Sequence, residues 1–189
     1  MSATIEFHCY DTPLGACGIA WDARGVIVGS QLPEATPGET RDRMRGRFPM
    51  ARESAAPPPS VLRAMIAVRR LLAGETNDID ELLAVELDDS GVPEFNRQVL
   101  ALTRRIPVGQ TLTYGEVAAR LGQPGAARAV GQAEGHNPFA PIVPCHRVMG
   151  SGGVGTGFSA HGGITTKLKL LGIEARAAGQ MAGEQTDLF

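Results

Sequence analysis

The stretch that constrains this chain most is Pro141-Ile142-Val143-Pro144-Cys145-His146-Arg147-Val148. Two prolines flank Ile142 and Val143. Proline has no amide hydrogen and a fixed φ, so the segment cannot be the interior of a helix. The pattern predicts a short extended piece that presents Cys145 at its end, with His146 and Arg147 as cationic neighbours. Nearby positive charge lowers a thiol pKa and raises the thiolate fraction. From these residues alone two readings stand: an activated nucleophile, or a buried structural cysteine beside a core histidine, since free cysteine is among the most buried residue types.

The rest of the composition narrows the setting. A chain of 189 residues suits one or two domains and can bury a real core. No apolar run is long enough to span a bilayer, and Met1–Tyr10 lacks the basic flank and apolar run of a signal peptide. The three cysteines, Cys9, Cys17 and Cys145, make no disulfide framework, so a reducing cytoplasmic setting is expected. His8, Cys9 and Cys17 resemble part of a zinc set, but a fourth ligand at good spacing is missing and no metal is assigned. The overall charge of −2 hides a division. Residues 1–90 carry a balance of −5 and residues 91–176, which hold Cys145, a balance of +5. A basic half suits a polyanionic partner, because neutralised phosphates supply most non-specific affinity.

Read in order, the first ninety residues predict a small α+β domain. Ile5, Phe7 and Cys9 alternate with polar residues, a strand signal over Ala3–Tyr10. Thr12-Pro13-Leu14-Gly15 is a turn, Ala16–Trp21 a second strand, Asp22–Gly25 a hairpin turn and Val26–Ser30 a third strand. Thr40–Phe48 reads as a short basic helix and Met50–Ser60 as a stiff loop. Ser60–Gly74 predicts an amphipathic helix capped by Ser60, with an apolar face that includes Leu62 and Ile66, and stopped by Gly74. Ala84–Leu87 reads as a strand.

Asp88–Pro93 marks the expected boundary between domains 1–90 and 91–176. Pro93–Ile106 predicts a helix. Thr113 and Glu116 form a capping box for a second helix ending at Leu121. After the turn Gly122-Gln123-Pro124-Gly125, a third helix rich in small residues runs from Ala126 to Glu134. Two short helices around a four-residue turn are a helix-turn-helix signature, shared with plain helical hairpins. The thin helix, with Arg128 as its one long basic group, suits a narrow minor groove and one inserted side chain better than major-groove reading.

Phe95–Glu174 resembles the catalytic domain of the O6-alkylguanine-DNA alkyltransferases (methylated-DNA–protein-cysteine methyltransferases). The matching stretches are Ile106–Tyr114, Ala127-Arg128-Ala129-Val130-Gly131, Asn137-Pro138, Pro144–Val148, and Lys167 with Leu170-Leu171 and Glu174. The first ninety residues are similar to the family's ribonuclease-H-like N-terminal domain through Thr12–Gly15 and the following hairpin. The resemblance implies an α+β fold whose C-terminal part is winged-helix-like. It also implies direct-reversal repair, in which an alkyl group on guanine O6, or on thymine O4, moves irreversibly to Cys145 in a single turnover without a cofactor.

Roles follow residue by residue from the resemblance. His146 and Glu174 relay the thiol proton through water, the nucleophile–base–orienter logic of a triad. Tyr114 donates to guanine N3. Arg128 fills the gap left by a base rotated out of double-stranded DNA through the minor groove. Asn137 ties the helix to the active segment, and Arg147, Val148, Ser151 and Ser159 contact DNA or base. The glycine-rich Gly150–Gly163 departs from the family's usual loop, with Phe158 where tyrosine is common. A monomer is implied. Residues 177–189 read as a disordered tail whose Gln185, Leu188 and Phe189 are similar to a bacterial sliding-clamp motif. Two other functions compete: a non-catalytic protein that flags alkylated DNA, and a Cys-His hydrolase.

Overall fold

Alternating apolar side chains on adjacent strands can bury both faces of a sheet only if something covers each face. The computed structural model, which describes residues 4–153 and 157–179, shows that arrangement. Strands β1 (Glu6–Thr12), β2 (Gly15–Trp21) and β3 (Ile27–Gln31) pair antiparallel, and the two-residue β4 (Arg52–Glu53) adds to β1 in parallel. The order across the sheet is β3-β2-β1-β4. Phe7 and Ala20 pack with Met44 of α1 (Pro37–Arg47) on one face. Tyr10, Cys17, Ile19 and Trp21 pack with Val61, Ala64 and Val68 of α2 (Pro59–Ala73) on the other. Gly15, at φ +124°, closes the β1–β2 turn, and a side chain there would press on Pro33.

Several expected boundaries move, each for a local reason. Helix α1 starts at Pro37 rather than Thr40, because Thr36 Oγ1 accepts from Glu39 N at 3.2 Å and proline is well placed at the first helical position. Ser60 does not cap α2; its hydroxyl donates to the Gly25 carbonyl at 3.0 Å, and the helix begins one residue earlier. Leu62 and Ile66, expected in the core, lie four residues apart on one outward line and are exposed. Ala84–Leu87 makes no strand: α3 (Asp80–Leu83) precedes it, and only Leu87 bridges to Ile27.

The second half is helical. Helix α4 (Glu94–Thr103) is followed by β5 (Leu112–Thr113), α5 (Tyr114–Arg120), α6 (Ala127–Gly135), a 3-10 turn (Cys145–Arg147), β6 (Val148–Met149) and α7 (Gly163–Ala177). The capping box forms as expected: Glu116 N donates to Thr113 Oγ1 at 3.1 Å and Thr113 N to Glu116 Oε2 at 2.6 Å. Gly122, at φ +73°, turns the chain between α5 and α6. Val99, Val117, Val130, Ala133 and Val148 bury together between these helices. Among the described residues this half contains only two strands, β5 and β6, which pair in parallel.

One apolar core crosses residues 90 and 91, gathering Leu100, Phe139, Ile142 and Leu170 with the side chains under α2. Ser30 binds residues 138–140 to the sheet edge: its N–H donates to Pro138 O at 3.0 Å and its hydroxyl to Ala140 O at 2.9 Å. Arg47, partly buried, donates to Ser30 O at 2.7 Å and to Pro138 O at 2.9 Å. The basic helix α1 thus braces the segment that leads to Cys145. Arg47→Ala removes the charged hydrogen bonds to those carbonyls, so urea denaturation is expected to show a loss of about 2–3 kcal/mol.

Candidate active site

Cys145 is delivered by a turn and not by an extended piece, a correction to the expectation from its prolines. Cys145 N donates to Val143 O at 3.0 Å across Pro144, whose φ of −84° and ψ of 66° make an inverse γ-turn. Fixed proline φ permits this as readily as a strand, and the Val143 carbonyl decides it. That carbonyl also accepts from Asn137 Nδ2 at 2.8 Å, while Asn137 Oδ1 accepts from Phe139 N at 2.9 Å. Asn137, just past α6, therefore fastens the helix to the segment carrying the thiol.

Behind the thiol lies a buried ionic cluster. Lys167, Leu170 and Glu174 recur at helical spacing on α7 and turn inward together. Glu174 Oε1 accepts from His146 Nε2 at 2.7 Å and from Arg147 Nη2 at 2.9 Å, and Oε2 accepts from Arg147 Nε at 2.8 Å. Arg147 Nη1 donates to Ile106 O at 2.6 Å. Burial alone would raise the Glu174 pKa, but the His146 and Arg147 contacts overcome it and hold the carboxyl at about 2. Burial also dominates His146, lowering its pKa against the pull of Glu174, so the imidazole is neutral. With Nε2 donating to the carboxylate, Nδ1 carries the lone pair. Nδ1 is buried and has no hydrogen-bond partner among the described residues.

Two expectations fail here for one reason. Arg147 is 1 % exposed and its guanidinium is committed to Glu174 and Ile106, so it does not contact DNA or base. Its charge is spent on Glu174 and His146 is neutral, so neither activates the thiol at rest. The Cys145 pKa is instead raised to about 12, first by burial and then by Glu134, against smaller opposing effects of Asn137 and Lys167.

Cys145 stands between two cavities. One is a cleft of about 240 Å³ lined in part by Ser30, Arg47, His136 and Ser159. The other is a recess of about 20 Å³ walled by Tyr114, Gly131, Glu134, Phe158, Ser159 and Lys167. A separate groove of about 350 Å³ is lined by Arg128, Ser151 and Tyr114, the last shared with the recess. Arg128 and Ser151 are exposed, as is Ser159 at the rim of the recess. Lys167 Nζ donates to the Val148 carbonyl at 2.7 Å and lies 5.9 Å and 6.0 Å from the ring centres of Tyr114 and Phe158. Reading the sequence did not find Ser30 and Arg47, which wall the cleft from the other half, or Glu134, whose place in the recess no motif marks. The zinc set does not assemble. His8 and Cys9 leave opposite faces of β1, and no group of three His, Cys, Asp or Glu suited to a metal exists among the described residues.

Comparison with known proteins accounts for this arrangement. Residues 94–176 match the family model "6-O-methylguanine DNA methyltransferase, DNA binding domain". A methylated-DNA–protein-cysteine methyltransferase of Mycolicibacterium paratuberculosis is 50 % identical over 91 % of this chain and 93 % of its own length. The like-named protein of Mycobacterium tuberculosis is 37 % identical over 92 % of this chain and 94 % of its own. The chain belongs to the methylated-DNA–protein-cysteine methyltransferase family. The crystal structure of Mycobacterium tuberculosis OGT in complex with DNA superposes with a TM-score of 0.71 at 34 % identity, covering 91 % of this chain and 94 % of that one. The O6-methylguanine-DNA methyltransferase of Pyrococcus kodakaraensis gives 0.65 at 26 % identity, covering 90 % and 99 %. The α+β class expected from sequence is therefore the fold that these methyltransferases share.

The cluster behind the thiol makes this methyltransferase fold acid-sensitive in a definite window. The depressed Glu174 pKa gives stability that is full above the unfolded carboxyl value near pH 4.3 and is lost as pH falls through about 2. Glu174→Gln leaves buried Arg147 without its counter-charge and is expected to cost about 3–5 kcal/mol at neutral pH. Urea denaturation of both proteins should show that gap narrowing below about pH 4.

Proposed function

We propose that this chain repairs DNA by direct reversal, taking the alkyl group of O6-alkylguanine, and of O4-alkylthymine, onto Cys145 in one irreversible turnover. One observation carries the reading: a neutral His146 has Nε2 committed to Glu174 and a buried, unclaimed Nδ1, next to a thiol that faces a recess beneath a helix-turn-helix. A buried acceptor of that kind is commonly served by a water. In the proposed step, the thiol proton passes through such a water to Nδ1 while sulfur attacks the alkyl carbon. The carbon–O6 bond breaks, its electron pair stays on the base, and Tyr114 donates to N3 so that guanine leaves neutral. A thioether does not readily release its alkyl group, so the protein is consumed.

The same reading gives the DNA contacts. Arg128 projects from the first turn of α6 in the groove beside Tyr114 and takes the place of the extruded base, with Ser151 on the same groove. The small residues of α6 allow close approach in the minor groove of duplex DNA. The recess has room for about one water, so base entry displaces its Gly157–Ser159 wall. Ser159 and the Val148 backbone then meet the base. The protein acts as a cytoplasmic monomer, and no helix among the described residues is long and apolar enough to cross a membrane. Cys145 disfavours a lesion-flagging protein, which needs no nucleophile. The clamp motif at Gln185, Leu188 and Phe189 lies outside the described residues and rests on sequence alone. Deleting residues 185–189 is expected to abolish binding to a bacterial sliding clamp with alkyl transfer intact.

Mass spectrometry after incubation with O6-methylguanine DNA tests the main proposal. The wild-type protein should gain one methyl group, on the Cys145 peptide. Cys145→Ala should bind the same DNA and gain none; a methylated Cys145→Ala protein would contradict the assignment.

A further inference from the structure

Glu134 is the buried side chain that alkyl transfer, as described, leaves without a task. It sits on the last turn of α6 and is 4 % exposed. Its Oε1 accepts from Thr103 Oγ1 at 2.5 Å, whereas Oε2 is buried with no hydrogen-bond partner among the described residues. The same carboxyl walls the recess that also holds Cys145, Tyr114 and Lys167. Those residues, with Thr103 and the recess-lining Ser159, are the polar and titratable groups around it among the described residues. Thr103 comes from α4, Tyr114 from α5, Cys145 from the 3-10 turn and Lys167 from α7. Lys167 gives its ammonium to the Val148 carbonyl rather than to Glu134. An ionised carboxylate with one unserved oxygen is costly in such a place. Burial is accordingly the largest influence on Glu134 and raises its pKa to about 8, while Thr103 and Lys167 pull downward. At neutral pH the group carries a proton. Thr103 occupies Oε1 as a donor, so that proton resides on Oε2, the oxygen facing no acceptor.

We propose that Glu134 is a further substrate contact, whose Oε2–H donates a hydrogen bond to an acceptor atom of the extruded base and stabilises the negative charge that the base gathers as the carbon–oxygen bond breaks. This rests on transfer to Cys145 as proposed above. Glu134 keeps its proton throughout: the alkyl carbon passes from oxygen to sulfur, the electron pair goes to the base, and the hydrogen bond strengthens as that charge grows. A neutral carboxylic acid in an apolar pocket is an effective donor of this kind. Ionised, the same group would set a like charge against both the departing base and the incoming sulfur, since its charged form opposes ionisation of Cys145.

Single-turnover transfer from O6-methylguanine DNA, read on the Cys145 peptide from about pH 6.5 to about pH 9.5, tests this with wild type, Glu134→Gln and Glu134→Leu. Glutamine offers an N–H donor at every pH. The ratio of the Glu134→Gln rate to the wild-type rate is expected to grow on the order of tenfold as pH rises through the Glu134 value of about 8. Glu134→Leu, with no donor, should be slower than Glu134→Gln throughout. A ratio that stays flat with pH, or equal rates for the two variants, would overturn the proposal. A second readout needs no change at Glu134. In Cys145→Ala protein with carboxyl-13C glutamate, O6-methylguanine DNA should move the Glu134 titration to higher pH and lesion-free DNA should not. Equal titrations with both DNAs would also overturn it. If wild type binds the lesion and gains no methyl group, the transfer reading itself falls and the contact with it. Transfer with a flat ratio removes only Glu134.

Discussion

A carboxylate and a guanidinium held together out of water, Glu174 and Arg147, organise the catalytic half of this protein. The pair joins α7 to the 3-10 turn, and Arg147 extends the link to the Ile106 carbonyl at the end of the α4 segment. A buried ion pair is weak grounds for stability in itself, because desolvation offsets most of the attraction. Its value here is geometric. The two parallel hydrogen bonds of a guanidinium fork fix both partners in orientation, and the second lone pair of Glu174 Oε1 then has one remaining use, to hold His146 Nε2. The ring has little freedom left, and its other nitrogen is determined as an acceptor.

The same dryness that makes the cluster strong works against the nucleophile. Forming a free thiolate at neutral pH from a thiol with a pKa of about 12 costs about 7 kcal/mol. Lys167 and Asn137 favour the anion but do not outweigh burial. A standing thiolate is therefore a poor description of the resting site. In the proposed mechanism, removal of the proton and attack on carbon belong together, with His146 as general base, and DNA brings the electrophile before the thiol becomes reactive. On that proposal, a protein consumed by one transfer is also protected from being spent on other alkylating agents in solution.

Much of this was legible in the residues, and the failures share a pattern. Capping at Thr113 and Glu116 and the hairpins of the sheet follow from local rules, and the structure obeys them. The Cys145 environment did not follow, because two cations beside a cysteine in sequence say nothing about what neutralises them in space. Glu174 lies 27 residues beyond Arg147 in the chain and cancels its charge. Ser60 and Thr36 show the same thing on a smaller scale: a residue with capping chemistry was diverted by a nearby carbonyl in one case and overlooked upstream of a proline in the other. Ser30, Arg47 and Glu134 could not have been found, since each matters through contacts far along the chain and none sits in a motif. Arg47 in particular read only as a member of a short basic helix, yet it braces the active segment from the other half of the protein.

The protonation of His146 is the point on which the account turns. Nitrogen-15 NMR of the histidine rings in the free protein reads it directly. A neutral imidazole at neutral pH, with hydrogen on Nε2 and none on Nδ1, is the predicted result. Hydrogen on Nδ1, or an imidazolium at that pH, would leave no base for the thiol proton and would contradict the mechanism.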